Sequence, residues 1–177
     1  MTDSQDLGQN NELTSDSTLA WYVAHTRPRR EKKVAEYCER EGFAVTLPCY
    51  RSVKKYRGKT AVFQKPLFPN YVFLQLQPHQ KQVVYQSDHV ANLLEVVDQQ
   101  LFKEQLGDIL AALETEMEIF LAPQITPGAR VKIKSGPLRG VEGMVERRSG
   151  MTLVLLRLDF ISQAAAVKID AEELELV

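Results

Sequence analysis

SGPLRGVEGMVE, residues 135–146, decides how the last third of the chain folds. It places glycines at 136, 140 and 143 and a proline at 137 in an otherwise apolar run. A glycine-rich loop that cradles phosphate must open directly into a helix, so that free backbone N–H groups and the helix dipole face the anion. Here the glycines lead into VEGMVE and then TLVLLRL, both of which read as strands, and no GK[ST] is present. The glycines therefore belong to corners: Pro137 fixes one and Gly140 permits another. Gly143 falls inside the next strand, where a missing side chain marks a bulge or a close backbone approach. With ARVKIKSG before it and TLVLLRL, AAAVKI and ELELV after it, the stretch predicts a small β-barrel.

Working towards the N-terminus, LAPQITPG (121–128) concentrates two prolines and a glycine and reads as a linker. From Gln99 to Met117, apolar residues at 102, 106, 109, 110, 113 and 117 recur at helical spacing. YVFLQL (71–76) alternates as a central strand, PHQKQVVYQSD begins a short helix at Pro78, and VANLLEVV is a further strand. LAWYVAHT opens the ordered chain as a strand. RPRREKKVAEYCEREG then reads as a helix, with Pro28 in its first turn and Gly42 just past its end. YRGK (56–59) is the turn of a basic hairpin, Gly58 supplying a positive φ. MTDSQDLGQNNELTSDST lacks aromatic and β-branched apolar residues and reads as a disordered acidic leader.

Composition is that of an ordinary globular protein, 44% hydrophobic and 25% charged over 177 residues. No apolar run is long enough to span a bilayer and no secretory signal pattern opens the chain, which predicts a cytoplasmic protein with reduced cysteines. Cys38 and Cys49 match no CxxC pattern and read as core residues. The three histidines are scattered, so no metal site is expected. No paired carboxylates or nucleophile–base pair is placed for catalysis, and neither an enzyme nor a cofactor is expected. The net charge of −1 conceals a strong pattern: residues 19–65 carry twelve bases and four acids, whereas 95–126 carry seven acids and one base. Such localisation suits a defined anionic partner.

Residues 127–147 resemble the KOW motif of SH3-like barrels. WYVAHT, the basic helix and PLFPNYVFLQL together resemble the N-terminal domain of the NusG family of transcription elongation factors. The combined resemblance covers about residues 19–177. Within the family, RGKTAVFQKPLFPNYVF is most similar to the specialised RfaH-like antitermination paralogs, with Asn70 where general members carry glycine. Asparagine tolerates left-handed geometry, so the turn survives the change. The implied fold is α+β: an N-terminal domain (19–118) with an antiparallel sheet flanked by helices, and a small SH3-like KOW barrel (128–177). A leader (1–18) precedes them, and a linker (119–127) joins them.

The resemblance implies a monomer that docks on the clamp helices of RNA polymerase and suppresses pausing at a few operons. Tyr22, Leu67, Phe68, Pro69, Tyr71 and Phe73 would form or flank an exposed apolar seat. The competing reading of Tyr71 and Phe73 is core packing, since Val72 and Leu74 occupy the other face of the same strand. Trp21 reads as core. Arg27, Arg29, Arg30, Lys33 and Arg40 would contact the non-template DNA strand, against the plainer reading of a solvated helix face. Tyr37 is placed either to stack on a base or to be buried. QSDHVAN (86–92) lacks a clear counterpart of the RfaH-like DNA contacts. In the barrel, Phe160 and Ile161 would present an apolar tip, with Gln163 where an arginine is typical. That substitution argues against Rho binding and leaves ribosomal protein uS-ten as a candidate partner. The competing functions are a housekeeping NusG coupling polymerase to Rho or the ribosome, and a ribosome-associated KOW protein that binds RNA. GPLRGVEG opposes helix formation, so the C-terminal part is expected to remain a barrel rather than refold as a helical hairpin.

Overall fold

The computed structural model describes residues 18–115, 119–122, 128, 130–148, 151–170 and 173–177. Residues 1–17 of the expected leader and 123–127 of the expected linker lie outside them. The chain is a mixed α/β protein in which every strand pairing among the described residues is antiparallel.

The N-terminal part is built on a four-stranded sheet in the order β2-β5-β1-β6, formed by Ala44–Thr46, Tyr71–Leu76, Ala20–Thr26 and Val90–Glu95. Strands β1 and β5 are central, helices cover both faces of the sheet, and alternation sorts the side chains of these strands into two cores. On one face, Tyr22, Ala24, Val72, Leu74 and Leu76 meet Val34, Ala35 and Cys38 of α1 (Glu31–Arg40) and Val84 of the short α2 (Lys81–Tyr85). On the other, Val23 and Phe73 meet Phe102, Leu106 and Ile109 of α3 (Gln99–Leu113). Asp98 caps α3, its carboxylate accepting from Leu101 N–H at 2.9 Å, an interaction worth about 1 kcal/mol. Gln99 anchors the same end to β1: its side chain accepts from Trp21 N–H at 2.6 Å and donates to Trp21 carbonyl oxygen at 3.0 Å.

Strands β3 (Cys49–Tyr56) and β4 (Lys59–Pro66) form a separate two-stranded ribbon, closed by Arg57 (φ 47°) and Gly58 (φ 77°). Asn70 adopts φ 69°, as its tolerance of left-handed geometry anticipates. Its N–H donates to the buried Glu31 carboxylate at 2.8 Å, fixing the turn before β5.

The C-terminal part is a six-stranded sheet in the order β12-β8-β9-β10-β11-β7, from Leu174–Leu176, Arg130–Ile133, Glu142–Arg148, Met151–Leu158, Gln163–Lys168 and Ile119–Ala122. No α-helix occurs among its described residues. The corner expected at 135–146 is present: Gly140 has φ 92° and donates to Ile133 carbonyl oxygen at 2.7 Å, bringing β8 back alongside β9. Gly143 lies inside β9, where a Cβ would come within 2.8 Å of Leu155 carbonyl oxygen. Gly143→Ala should therefore push β9 from β10 and destabilise the protein by about 1–3 kcal/mol, read as a lowered urea midpoint. An unchanged midpoint would mean that the strands relax freely there.

Two expectations change. Residues 119–122, expected as the start of a linker, form β7 and pair with β11. The helix expected over 99–117 is assigned to Gln99–Leu113, while 116–118 lie outside the described residues.

Candidate functional site

The expected apolar seat is closed. Leu67, Phe68 and Phe73 are at most 1% exposed, so they are core residues and not part of an open docking face. The reason is α3. Phe102 sits over the sheet with its ring 5.5 Å from Phe73 and 5.6 Å from Trp21, and Phe73 is in turn 6.1 Å from Phe68. Tyr22 is fully buried on the opposite face of the sheet, because it is one residue out of phase with Trp21 and Val23. The six expected residues do not form one patch. Tyr71 is half-buried against the same core as Phe73, with its ring 5.3 Å from His25, and Pro69 is exposed. Beyond them, Val97 (92% exposed) and Leu101 (41%) leave apolar surface open beside Phe102. Sequence periodicity did not single out either one.

The basic residues divide into two groups. Arg30, Lys33, Tyr37 and Arg40 follow the i, i+3, i+7, i+10 spacing and share one stripe along α1. The Arg40 guanidinium lies 5.5 Å from the centroid of the half-buried Tyr37 ring, so that ring is partly covered from within the chain. Arg27 makes an exposed ion pair with Asp88 at 3.2 Å, too weak to hold the arginine out of contact with an anion. Arg29 departs from the stripe; its backbone is left-handed (φ 61°), and its side chain lies beside the β3–β4 ribbon.

The expected tip of the C-terminal part is also engaged. Phe160, in the turn after β10, packs edge-on to Phe102 with ring centroids 6.1 Å apart. Ile161 joins the same core. Gln105 of α3 clamps the adjacent Asp159 twice, donating to its carboxylate at 2.8 Å and accepting from its N–H at 2.9 Å. Arg157 holds the other carboxylate oxygen at 2.7 Å. Phe160 and Ile161 thus contact this chain's own α3 instead of presenting a free tip. Gln163 is half-buried, and its Oε1 has no hydrogen-bond partner among the described residues. The candidate seat and the candidate tip face each other across Phe102 and share one apolar core. Sequence spacing alone did not join them; the Gln105–Asp159 and Phe102–Phe160 pairs span more than fifty residues.

Asp108, on α3, faces Arg130 and Glu142 of the C-terminal sheet. Burial, followed by the nearby Glu104 and Glu142 carboxylates, pushes its carboxyl above the usual range. Stability from its neutral form is present at low pH and fades as pH rises through the raised value. Asp108→Asn should therefore raise the melting temperature at pH 7, with the gain vanishing near pH 4. An equal gain at both pH values would point to another cause. Burial, with lesser contributions from Glu41 and Glu39, pushes the Cys38 thiol up to about 11, in keeping with a packing role. Among the described residues, no group of three or more potential metal ligands occurs, and no helix is long and apolar enough to cross a membrane.

Residues 19–119 match the family model described as "Transcription termination factor nusG". Among solved structures, one chain from the crystal structure of the MjSpt4:Spt5 complex (conformation B) is 18% identical. The match covers 89% of this chain and 96% of that one, with a TM-score of 0.30.

Proposed function

Because the chain belongs to the NusG family of transcription factors, we propose that it rides on RNA polymerase as an RfaH-like elongation and antitermination factor of restricted range. In this reading, residues 19–118 are the polymerase-binding domain and 128–177 a KOW barrel, and the protein works as a cytoplasmic monomer. It docks on the clamp helices through the apolar surface left open along the margin where α3 meets the four-stranded sheet. The stripe of Arg30, Lys33 and Arg40 lies along the non-template strand, with Arg27 at its end.

One observation supports the docking face most: Val97 and Leu101 leave apolar surface open beside Phe102, whose ring Phe160 of the C-terminal part also contacts, while Tyr71 is half-buried against the same core. The part of the face around Phe102 becomes available when the C-terminal sheet withdraws. Aromatic side chains on a rigid sheet offer large buried area at small entropic cost, which suits a docking anchor. The barrel then has Phe160, Ile161 and Gln163 free for a partner of its own, for which ribosomal protein uS-ten is the candidate and Rho is disfavoured.

Transcription by purified polymerase through pause sites and Rho-dependent terminators tests this reading. Shortened pauses without stimulation of Rho are expected. Unchanged pausing together with tight binding to ribosomal RNA would overturn it in favour of a ribosome-associated protein, and stimulated Rho termination in favour of a housekeeping factor.

A further inference from the structure

The β3–β4 ribbon carries Arg51, Lys54, Lys55, Arg57, Lys59 and Lys65 over residues 49–66 and no acid at all. Alternation places Tyr50, Lys54, Phe63 and Lys65 on one face, in the register Tyr50 opposite Lys65 and Ser52 opposite Phe63. Tyr50, at the base of that face, packs against the core, whereas Lys54 and Phe63 are exposed. The face forms one wall of an open groove of about 500 Å³, with Arg29 and Lys32 at the N-terminal end of α1 on the other side. This volume falls within the range of roughly 300–1,000 Å³ typical of small-molecule sites.

Three features of the groove point to the same ligand chemistry. First, none of Arg29, Lys32, Lys54 and Lys65 has an ion-pair partner among the described residues. The one carboxylate in the lining, Glu31, is buried, with an oxygen committed to Asn70 N–H. Second, Phe63 is 47% exposed on this cationic surface, which leaves an aromatic side chain open to a ligand. Third, Arg29 keeps a left-handed backbone that glycine or asparagine would adopt more easily, so the fold alone does not call for arginine there. Unpaired cations that track a backbone, interleaved with an exposed aromatic ring, are how proteins hold unpaired bases and their phosphates.

We propose that this groove binds single-stranded polynucleotide, with one unstacked base on Phe63 beside Tyr50 and the flanking phosphates on Arg29, Lys32, Lys54 and Lys65. The site is separate from the α1 stripe of Lys33 and Arg40 and does not depend on polymerase docking. A free oligonucleotide therefore tests it without polymerase.

The test is fluorescence anisotropy of labelled ten-nucleotide DNA and RNA, each titrated with the full chain over a range of salt concentrations. Phe63→Ala should weaken binding about 5- to 100-fold, the loss of one stacked base. Lys54→Gln and Arg29→Gly should each reduce the salt slope by about 0.7, and Arg29→Lys should restore it. Phe63 and Arg29 are exposed, so these variants are expected to fold, with circular dichroism as the check. Stacking-dependent binding of either the DNA or the RNA supports the proposal. Wild-type affinity in folded Phe63→Ala would overturn it, as would tighter binding to a duplex than to single strands. Competition by an oligoglutamate peptide as effective as unlabelled oligonucleotide would also overturn it, since the groove would then be a general polyanion surface.

Discussion

Phe102→Ala should destabilise the full chain by about 3–5 kcal/mol, read from urea unfolding monitored by circular dichroism. Phe102 is 2% exposed and touches the rings of Trp21, Phe73 and Phe160. Truncation removes its transfer free energy and leaves a cavity where β1, β5, α3 and the turn after β10 converge. Edge-on aromatic contacts contribute about 0.5–1.5 kcal/mol each beyond burial, which places the loss at the upper end for a core phenylalanine. Leu101→Ala, one residue away but 41% exposed, should cost under about 1 kcal/mol. Comparable losses for the two would mean that the apolar junction is not organised around Phe102.

Phe160→Asp should produce the largest functional change. A carboxylate at that position would have to be desolvated beside Phe102, and it would also stand next to the Asp159 carboxylate. The contact it replaces comprises one edge-on ring pair and the apolar area around it, with the two Gln105–Asp159 hydrogen bonds alongside. At about 1 kcal/mol for each hydrogen bond and a similar amount for the ring pair, the closed arrangement is favoured by a few kcal/mol. If docking needs the open arrangement, apparent affinity is reduced in proportion to the open fraction. Opening it should then tighten polymerase binding on the order of 10- to 100-fold. Gln105→Ala should act in the same direction with a smaller effect.

Much of the fold was legible in the sequence because it depends on local rules. Glycine placement at 140 and 143, the two-residue period of YVFLQL and the 3.6-residue period after Gln99 each have one cheap structural solution. The site was legible only in part. Alternation correctly put Tyr71 and Phe73 on one face of their strand, but Tyr22, grouped with them in the expected seat, lies on the opposite face of the sheet, and alternation cannot say which faces are covered. Covering depends on α3 crossing the sheet and on Phe160 meeting Phe102, contacts between residues far apart in the chain. Arg29 illustrates the same gap. It belongs to the basic run by sequence, yet a left-handed turn aims it at the ribbon rather than along α1.

If polymerase is held through the apolar face at Tyr71 and Phe102, the C-terminal part must compete with it for that face. The most direct test is titration of the labelled chain with core RNA polymerase, comparing wild type with Tyr71→Ala and Phe160→Asp, each checked for folding. Tyr71→Ala should bind about tenfold more weakly or worse, as for a central aromatic anchor, while Phe160→Asp binds more tightly. Wild-type affinity in both folded variants would contradict the account.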